Sequence, residues 1–255
     1  MSHVSRREFM AASAAGAAAM ATGNGFGGQG SPSPKTAFKT RLFKSVISGM
    51  PNEESLTKLK QAGFDGIECN NAGADPAKAE AARKIADKLG MRIHSVLRGW
   101  MAFDKPAKVD AHVANVAECL ETAAAYGADA ILVVPCRIGG RMPQAWEFDI
   151  EFDDKTGHLK KVAKGDNTPY QVYMDTHNKA ADASRDALRR LVPAAEKAGV
   201  VIAVENVWNN MWVKPKVFAQ FISSCESKWI QAYYDIGNHV KYAPSEEWIR
   251  ALGDT

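Results

Sequence analysis

One pattern recurs along this 255-residue chain: a helical apolar stripe ends at a glycine, and a short apolar run follows directly. These glycines are Gly63, Gly90, Gly127 and Gly199. Glycine just past a helix end adopts the left-handed cap conformation without a side-chain penalty. Each apolar run that follows is bounded by turn residues, which is typical of a strand buried on both faces of a parallel sheet. The sequence therefore predicts an α/β fold built from consecutive βα units.

Six strands of this kind are predicted, and the helix after the third has the clearest apolar periodicity, from Val113 through Leu120 to Ala124. Their expected positions are residues 44–49, 66–70, 92–96, 130–135, 201–205 and 231–235. We predict a (β/α)8 TIM barrel over residues 40–255, with about six βα units present. A barrel needs eight strands to close, and open edges leave backbone groups unpaired. We therefore expect that the sequence is truncated and that two units are missing.

The pattern breaks between the fourth and fifth strands, at about residues 137–173. Trp146, Phe148, Ile150 and Phe152 alternate with acidic residues, and the letters DDKTG supply a turn, which predicts an inserted two-stranded hairpin. A long insertion at this edge could close over a substrate as a lid, or it could form a subunit contact.

Two further expectations concern single segments. The segment 98–100 is expected in the loop after the third strand. Pro193 is expected to kink the helix before the fifth strand or to start its second half.

The first 34 residues have a different composition from the rest. The letters SRREFM at residues 5–10 precede an Ala-rich, charge-free run at residues 11–21, and sequence rich in Gly, Ser and Pro follows. This segment resembles a twin-arginine export signal with its linker, and AMA at residues 19–21 resembles a cleavage site. An N-terminal amphipathic helix or a membrane anchor is the alternative. The apolar run is short for a bilayer, so we expect export to the periplasm or the exterior, without stable membrane insertion.

The net charge is only +3 and no long block of Lys or Arg occurs, so the chain has no dedicated surface for nucleic acid. The four cysteines show no CxxC spacing, and a chain of this length does not need disulfides to fold. We expect mostly buried thiols, although Cys69 and Cys136 stand near strand ends and could line a site.

Two predicted strands end in a carboxylate. Residues 201–206 read VIAVEN and residues 231–238 read QAYYDIGN, so Glu205 and Asp235 are expected side by side at the carboxyl edge of the sheet. An unpaired charge is costly to bury, and the loops at this edge of a barrel form the active site. Each carboxylate could instead cap a helix or join a salt bridge, but two in equivalent positions favour function.

These two phrases, the glycine pattern and the number of βα units resemble the xylose isomerase-like superfamily of sugar phosphate isomerases and epimerases, over about residues 40–255. The resemblance implies a divalent metal held by a Glu on the fifth strand, an Asp on the sixth, a His on the seventh and an acidic residue on the eighth. It therefore implies Glu205 and Asp235 as metal ligands, and the other two have no counterpart in this sequence. Such ligands suit Mn²⁺, Mg²⁺ or Co²⁺, with Zn²⁺ as a further option. The metal would polarise a carbonyl, with Glu205 as the implied catalytic base.

Five further residues are candidates for substrate binding. His94 on the third strand could contact substrate or metal, or it could be a structural histidine. Glu68 on the second strand could bind a sugar hydroxyl or pair with a cation. Asn206 and Trp208 lie in a segment whose amide and indole groups suit hydrogen bonding and stacking on a polyol, although an ordinary loop has the same composition. Asn238, three residues after Asp235, is the fifth candidate for substrate binding.

The function that this implies is a metal-dependent isomerase or epimerase of a small-molecule sugar or sugar derivative, in which a proton moves next to a metal-polarised carbonyl. The alternative is a sugar-binding or scaffold barrel without turnover, which we expect if the protein ends at residue 255. A DNA-repair endonuclease branch shares the barrel, but it uses three zinc ions and histidines where this chain has Cys136 and Asn238. An endonuclease-like hydrolase is therefore the less favoured function. Association into a homo-oligomer, the substrate and the metal are left open.

Overall fold

A computed structural model describes residues 42–253, and its sheet elements agree with the predicted succession of βα units. The export signal and linker predicted at residues 1–34 lie outside the described residues. The strands are β1 (Ser45–Ser48), β2 (Gly66–Cys69), β3 (Arg92–Trp100), β4 (Ala130–Val134), β5 (Phe148–Phe152), β6 (Leu159–Ala163), β7 (Val201–Glu205) and β8 (Ile230–Tyr233). The helices are α1 (Glu53–Gln61), α2 (Pro76–Lys88), α3 (Pro106–Tyr126), α4 (Gln171–Ala198), α5 (Pro215–Ser224) and α6 (Ser245–Leu252), and a 3-10 turn spans Thr168–Tyr170.

Six of the strands form one parallel sheet in the order β1-β2-β3-β4-β7-β8, and each neighbouring pair is joined through a helix. This confirms the prediction of an α/β fold with six βα units of a TIM-barrel type. Neighbours in the sheet are also neighbours in the βα succession, so the carboxyl ends of all six strands lie along one edge. Residues that follow the strands are therefore collected at that edge.

The predicted glycine stops are confirmed. Gly127 and Gly199 are the caps of α3 and α4, with φ of 70° and 67°. In each case the cap N–H donates back into the last helical turn, and the chain then enters the next strand. A residue with a side chain would be strained in this left-handed conformation, which is why glycine marks the end of these helices.

The core lies between the sheet and the helices. Ile131 and Val133 of β4 and Ile202 and Val204 of β7 have no exposed surface, as expected for strands covered on both faces. An aromatic group near the start of α5 completes the core, with the Trp212 ring centroid 4.3 Å from that of Phe221. None of the helices in residues 42–253 combines the length and apolar character needed to span a bilayer.

One local expectation was wrong, and a second stays a prediction. Residues 98–100 belong to β3 and not to the loop after it, because the pairing register with β4 shifts between Leu97 and Gly99 and the strand continues. Gly99 adopts a φ of 77°, which permits this irregularity. Pro193 lies inside the single helix α4, which continues on both sides of it, and the kink expected there stays a prediction. The buried apolar stripe of α4 on both sides of Pro193, including Leu188 and Ala195, offsets the one backbone hydrogen bond that proline removes.

The segment between β4 and α4 contains the antiparallel pair β5–β6. The amide of Asn178 on α4 bonds both the N–H and the carbonyl of Leu159, at 2.7 and 3.2 Å, as a neighbouring strand would. The turn of the hairpin is also tied to α4, because Asp182 contacts the His158 ring at 2.9 Å and Arg185 donates to the carbonyl of Thr156 at 2.8 Å. A swinging lid would have to break all of these contacts, so the hairpin is a fixed part of the outer layer.

Candidate active site

Glu205 and Asp235 lie at the carboxyl edge of the sheet, at the ends of neighbouring strands. Glu205 is the last residue of β7 and stands opposite Tyr233, the last residue of β8. Asp235 therefore lies two residues beyond the end of its strand, and not at the strand end that the sequence predicted. Because alternate residues of an extended chain face the same side, Tyr233 and Asp235 both point toward Glu205.

The side chain of Asn206 holds Asp235 in this place. Its Nδ2 donates to the carbonyl of Asp235 at 2.9 Å, and the N–H of Asp235 donates to its Oδ1 at 2.5 Å. The amide thus continues the hydrogen-bond pattern of the parallel pair after the backbone of β8 has left the sheet. Asn206 is completely buried and both of its polar atoms are engaged, so we assign it a positioning role instead of the predicted contact with substrate.

A second set of hydrogen bonds orients the two carboxylates. Oδ1 of Asp235 accepts from the N–H groups of Gly237 and Asn238, at 2.7 and 2.8 Å. The Nδ2 of Asn238 donates to Oε1 of Glu205 at 3.2 Å. Within residues 42–253, the other oxygen of each carboxylate, Oε2 of Glu205 and Oδ2 of Asp235, has no hydrogen-bond donor. Each carboxylate therefore presents one free oxygen at the mouth of the barrel.

The electrostatics of Glu205 are unusual for an acid. Burial raises its pKa to about 7, with further contributions from the negative charges of Asp235 and Glu68, while the hydrogen bond from Asn238 acts in the opposite direction. A carboxyl with this pKa takes up and releases protons near neutrality. Perturbed acids of this kind are typical of catalytic sites and of metal sites without their metal.

Glu68 is the third carboxylate of the site and is almost fully buried, at 4% exposure. Ser95 on β3 donates to its Oε1 at 3.0 Å, and the Tyr233 hydroxyl on β8, four strands away in the sheet order, interacts with the same carboxylate and lowers its pKa. Burial raises the pKa of Glu68, and these two hydrogen bonds partly oppose that effect. Burial, followed by the charges of Glu68 and Glu205, raises the pKa of Tyr233 to about 12, so its hydroxyl remains a donor.

The sequence interpretation missed Ser95 and Tyr233. The signal was available for Tyr233, because it precedes Asp235 by two residues and period-2 alternation places both on one face. Ser95 was overlooked because its neighbour His94 is chemically more conspicuous. The pairing of β2 with β3 is irregular at His94, and the Nε2 of His94 lies 3.4 Å from Oγ of Ser95, which donates to Glu68. Burial lowers the pKa of His94, and the nearest charges that act on it are Asp129 and Arg92. The structure therefore places His94 next to the acid cluster, with Ser95 between it and Glu68.

Trp208 lies beside the cluster and is about half exposed, at 54%. Its indole N–H donates to the carbonyl of Asn238, the residue whose side chain binds Glu205. The ammonium of Lys241 lies 4.5 Å from the centre of the Trp208 ring. The ring is thus held at a fixed angle next to the carboxylates.

The donor set fits part of a site for a divalent cation. In the described part of the chain, no group of three or more His, Cys, Asp or Glu side chains is arranged to hold a metal. Glu205 and Asp235 supply two oxygen ligands of the kind that hard cations prefer. Burial and then the negative charges of Asp235 and Glu68 raise the pKa of Glu205, and a bound cation would oppose both effects. His239 does not contribute, because its ring is buried 5.0 Å from that of Trp248 and burial lowers its pKa to about 4.

A parallel βα sheet with acidic residues beyond its carboxyl ends places the protein among the TIM-barrel proteins that carry their site at that edge. The family model for Xylose isomerase-like TIM barrel proteins matches residues 56–255, and the chain belongs to this family. A search among curated protein sequences finds no significant match.

Several solved structures have the same fold. A 3-keto-D-glucoside 4-epimerase from E. coli in its apo form matches with a TM-score of 0.59 and 14% identity, over 83% of this chain and 76% of the other. D-psicose 3-epimerase, solved in the presence of D-fructose, matches with a TM-score of 0.59 and 13% identity over 83% and 69%. A xylose isomerase domain protein from Planctomyces limnophilus matches with a TM-score of 0.55 and 14% identity over 85% and 72%. At these identities the likeness establishes the fold, and reaction and substrate have to be argued from the site.

Proposed function

We propose that this protein is a divalent-metal-dependent isomerase or epimerase of a sugar or sugar derivative. The observation that carries the proposal is the pair of carboxylates at the barrel mouth, in which Glu205 has a pKa of about 7 and one oxygen of each acid is free. The family, and the epimerases among its structural neighbours, support a reaction of this class.

The chemistry follows from the groups present. A bound divalent cation would polarise the substrate carbonyl and so acidify the neighbouring C–H bond. Glu205 would accept the proton from that carbon and return it to the adjacent carbon on the same face, which a carboxyl that titrates near neutrality can do in both directions. Inversion of a single carbon, as in an epimerase, would require a second acid on the opposite face of the substrate. Asn238 holds Oε1 of Glu205 and leaves Oε2 for the proton.

The remaining residues recognise a polyol. Glu68 is an acceptor fixed by Ser95 and Tyr233, so it is suited to a sugar hydroxyl that reaches the barrel interior. The half-exposed face of Trp208 is suited to the C–H face of a sugar ring. Together these groups provide one acid/base group, a hydroxyl acceptor and an apolar platform, which a sugar isomerase requires and an epimerase would supplement with a second acid.

The first test is a thermal-shift titration of the chain with Mn²⁺, Mg²⁺, Co²⁺ and Zn²⁺, in which wild type is compared with Glu205→Gln. A cation that binds only the folded state raises the melting temperature by mass action. We expect a shift in wild type and in the control Glu118→Gln, an exposed helical glutamate, and none in Glu205→Gln. Equal shifts in all three proteins would place the metal elsewhere.

The second test is proton exchange on a panel of sugars and keto sugars in D₂O, followed by NMR. An isomerase or epimerase introduces deuterium at the carbon next to the carbonyl, and Glu205→Gln should lose this activity. The alternative function is a sugar-binding barrel without turnover, which is favoured by the observation that residues 42–253 supply only two metal ligands. Saturation-transfer contacts to a sugar without deuterium exchange would support that alternative.

We also propose that residues 1–34 direct export through the twin-arginine route. The adjacent Arg6 and Arg7 and the Ala-rich run that follows support this proposal. In a bacterial host, the full chain should be recovered from the periplasm in a shortened form, and Arg6→Lys/Arg7→Lys should remain in the cytoplasm at full length. Recovery of both forms from the same fraction would contradict export by this route.

A further inference from the structure

A cavity of about 480 Å³ lies between the hairpin, the start of α5 and one face of α6, and none of the residues of the acid cluster lines it. It is formed by β5, the first residues of α5 and one face of α6. None of the three carboxylates described above lines it, and Tyr242 stands next to it, with its ring centroid 5.9 Å from that of Phe148. The volume is within the range of small-molecule binding sites, which are commonly about 300–1,000 Å³.

The inner surface of this cavity is apolar. Phe148 is 7% exposed, and Pro215 and Val217 at the start of α5 are also buried. Ile150 and Phe152 continue the same wall along β5 and are only partly covered by the protein. A sugar would leave its hydroxyl groups without partners against this surface, so the cavity favours a ligand with an apolar body.

The rim of the cavity is positively charged. Lys216 and Arg250 are exposed on opposite helices, and in residues 42–253 neither forms an ion pair with a carboxylate. Lys214 adds a third positive charge, although its Nζ also donates to the carbonyl of Tyr242 at 2.9 Å. Three cations therefore border one apolar cavity.

The two acidic residues of the lining do not balance these charges. Asp149 is already paired with Lys161 at 2.8 Å, and this contact lowers the pKa of Asp149. Glu247 is exposed, and its single negative charge does not cancel the three positive charges at the rim. Charge complementarity thus selects an anionic headgroup, while the cavity wall selects an apolar body.

We propose that this cavity binds a small organic anion with an apolar body, an arylalkyl carboxylate being the matching class. The carboxylate would lie between Lys216 and Arg250, and the ring would pack on Phe148 and Val217. This site is independent of the proposed sugar chemistry, because it shares no residue with the acid cluster.

The test uses 3-phenylpropionate and its uncharged analogue 3-phenylpropionamide, titrated into the protein by calorimetry. We expect saturable binding of the acid and binding of the amide about tenfold weaker, because two exposed charge contacts of about 0.5–1 kcal/mol each are lost. Lys216→Gln/Arg250→Gln should weaken binding of the acid by a similar factor. The control Arg141→Gln/Lys179→Gln, which removes the same charge from exposed positions outside the cavity, should bind the acid like wild type.

A further variant tests the apolar wall. Ile150→Glu places a carboxylate inside the cavity on a partly exposed strand residue, and it should abolish binding of the acid while the circular dichroism spectrum and melting temperature stay close to those of wild type. The proposal is overturned if acid and amide bind equally, if the cavity and control variants bind alike, or if wild type shows no saturable binding of the acid.

Discussion

Replacing Glu205 by glutamine should stabilise the metal-free protein at pH 8 and leave its stability near pH 4 almost unchanged. Burial and the neighbouring charges of Asp235 and Glu68 raise the pKa of Glu205 to about 7 in the folded chain. Glutamine has the shape of the protonated acid and can still accept the hydrogen bond from Asn238. The substitution therefore removes the charge without removing the contact.

The size of the effect follows from proton linkage. Between the ordinary glutamate pKa of 4.5 and about 7, the folded state retains a proton that the unfolded state has released, so the free energy of unfolding falls as the pH rises. Above pH 7 the acid is charged in both states and the loss is complete. The difference between the two pKa values corresponds to at most about 3 kcal/mol, and solvent screening of this partly exposed carboxyl reduces the effect to about 1–2 kcal/mol. The stability advantage of Glu205→Gln should grow over this pH range and then level off.

The measurement is urea unfolding of EDTA-treated wild type and Glu205→Gln at several values from pH 5 to pH 8.5, with Glu118→Gln as control. Glu118 is exposed, so its substitution should give no pH-dependent difference from wild type. A Glu205→Gln protein that is equally stable or less stable than wild type at pH 8 would refute the view that the cluster carries uncompensated negative charge.

Three further substitutions test the described contacts. Asn206→Ala removes both hydrogen bonds to Asp235 from a fully buried position and should lower the free energy of unfolding by about 2 kcal/mol in urea, together with any response to metal. Gly127→Ala forces a side chain into a φ of 70° and should cost about 1 kcal/mol or more by the same measurement, whereas Gly73→Ala, which meets no atom within 4 Å, should be nearly neutral. Asn178→Ala frees β6 from α4, so limited proteolysis should cut the hairpin faster while the melting temperature falls only slightly.

Much of the fold could be predicted from the sequence because its signals are local. A glycine after an apolar helical stripe fixes a left-handed cap, and the four predicted stops all have positive φ. The short apolar runs then specify buried parallel strands, and their succession specifies the order of the sheet. Glu205 could be placed at the edge for the same reason, since it ends one of these runs.

The rest of the site depends on contacts between distant segments, which local patterns do not encode. The side-chain amide of Asn206 forms the hydrogen bonds that a neighbouring strand would form with the backbone of Asp235. From the sequence, the position of Asn206 after a strand had indicated only a polar loop residue. The side chains of Ser95 and His94 contact each other, and only the three-dimensional structure shows that Ser95 is the one that donates to Glu68. The continuation of β3 past Gly99 required a register shift against β4, which only the paired structure reveals.

The contact between Glu68 and Tyr233 has a consequence for how the protein matures. Glu68 lies on β2 and Tyr233 on β8, so synthesis must have passed residue 233 before the carboxylate gains this partner. During vectorial synthesis, the early strands therefore carry a buried acid whose hydrogen bonding is unfinished. The electrostatic environment of the pocket is completed only after β8 has joined the sheet, and a ribosome-bound chain without β8 should lack the Tyr233 and Asp235 side of the site.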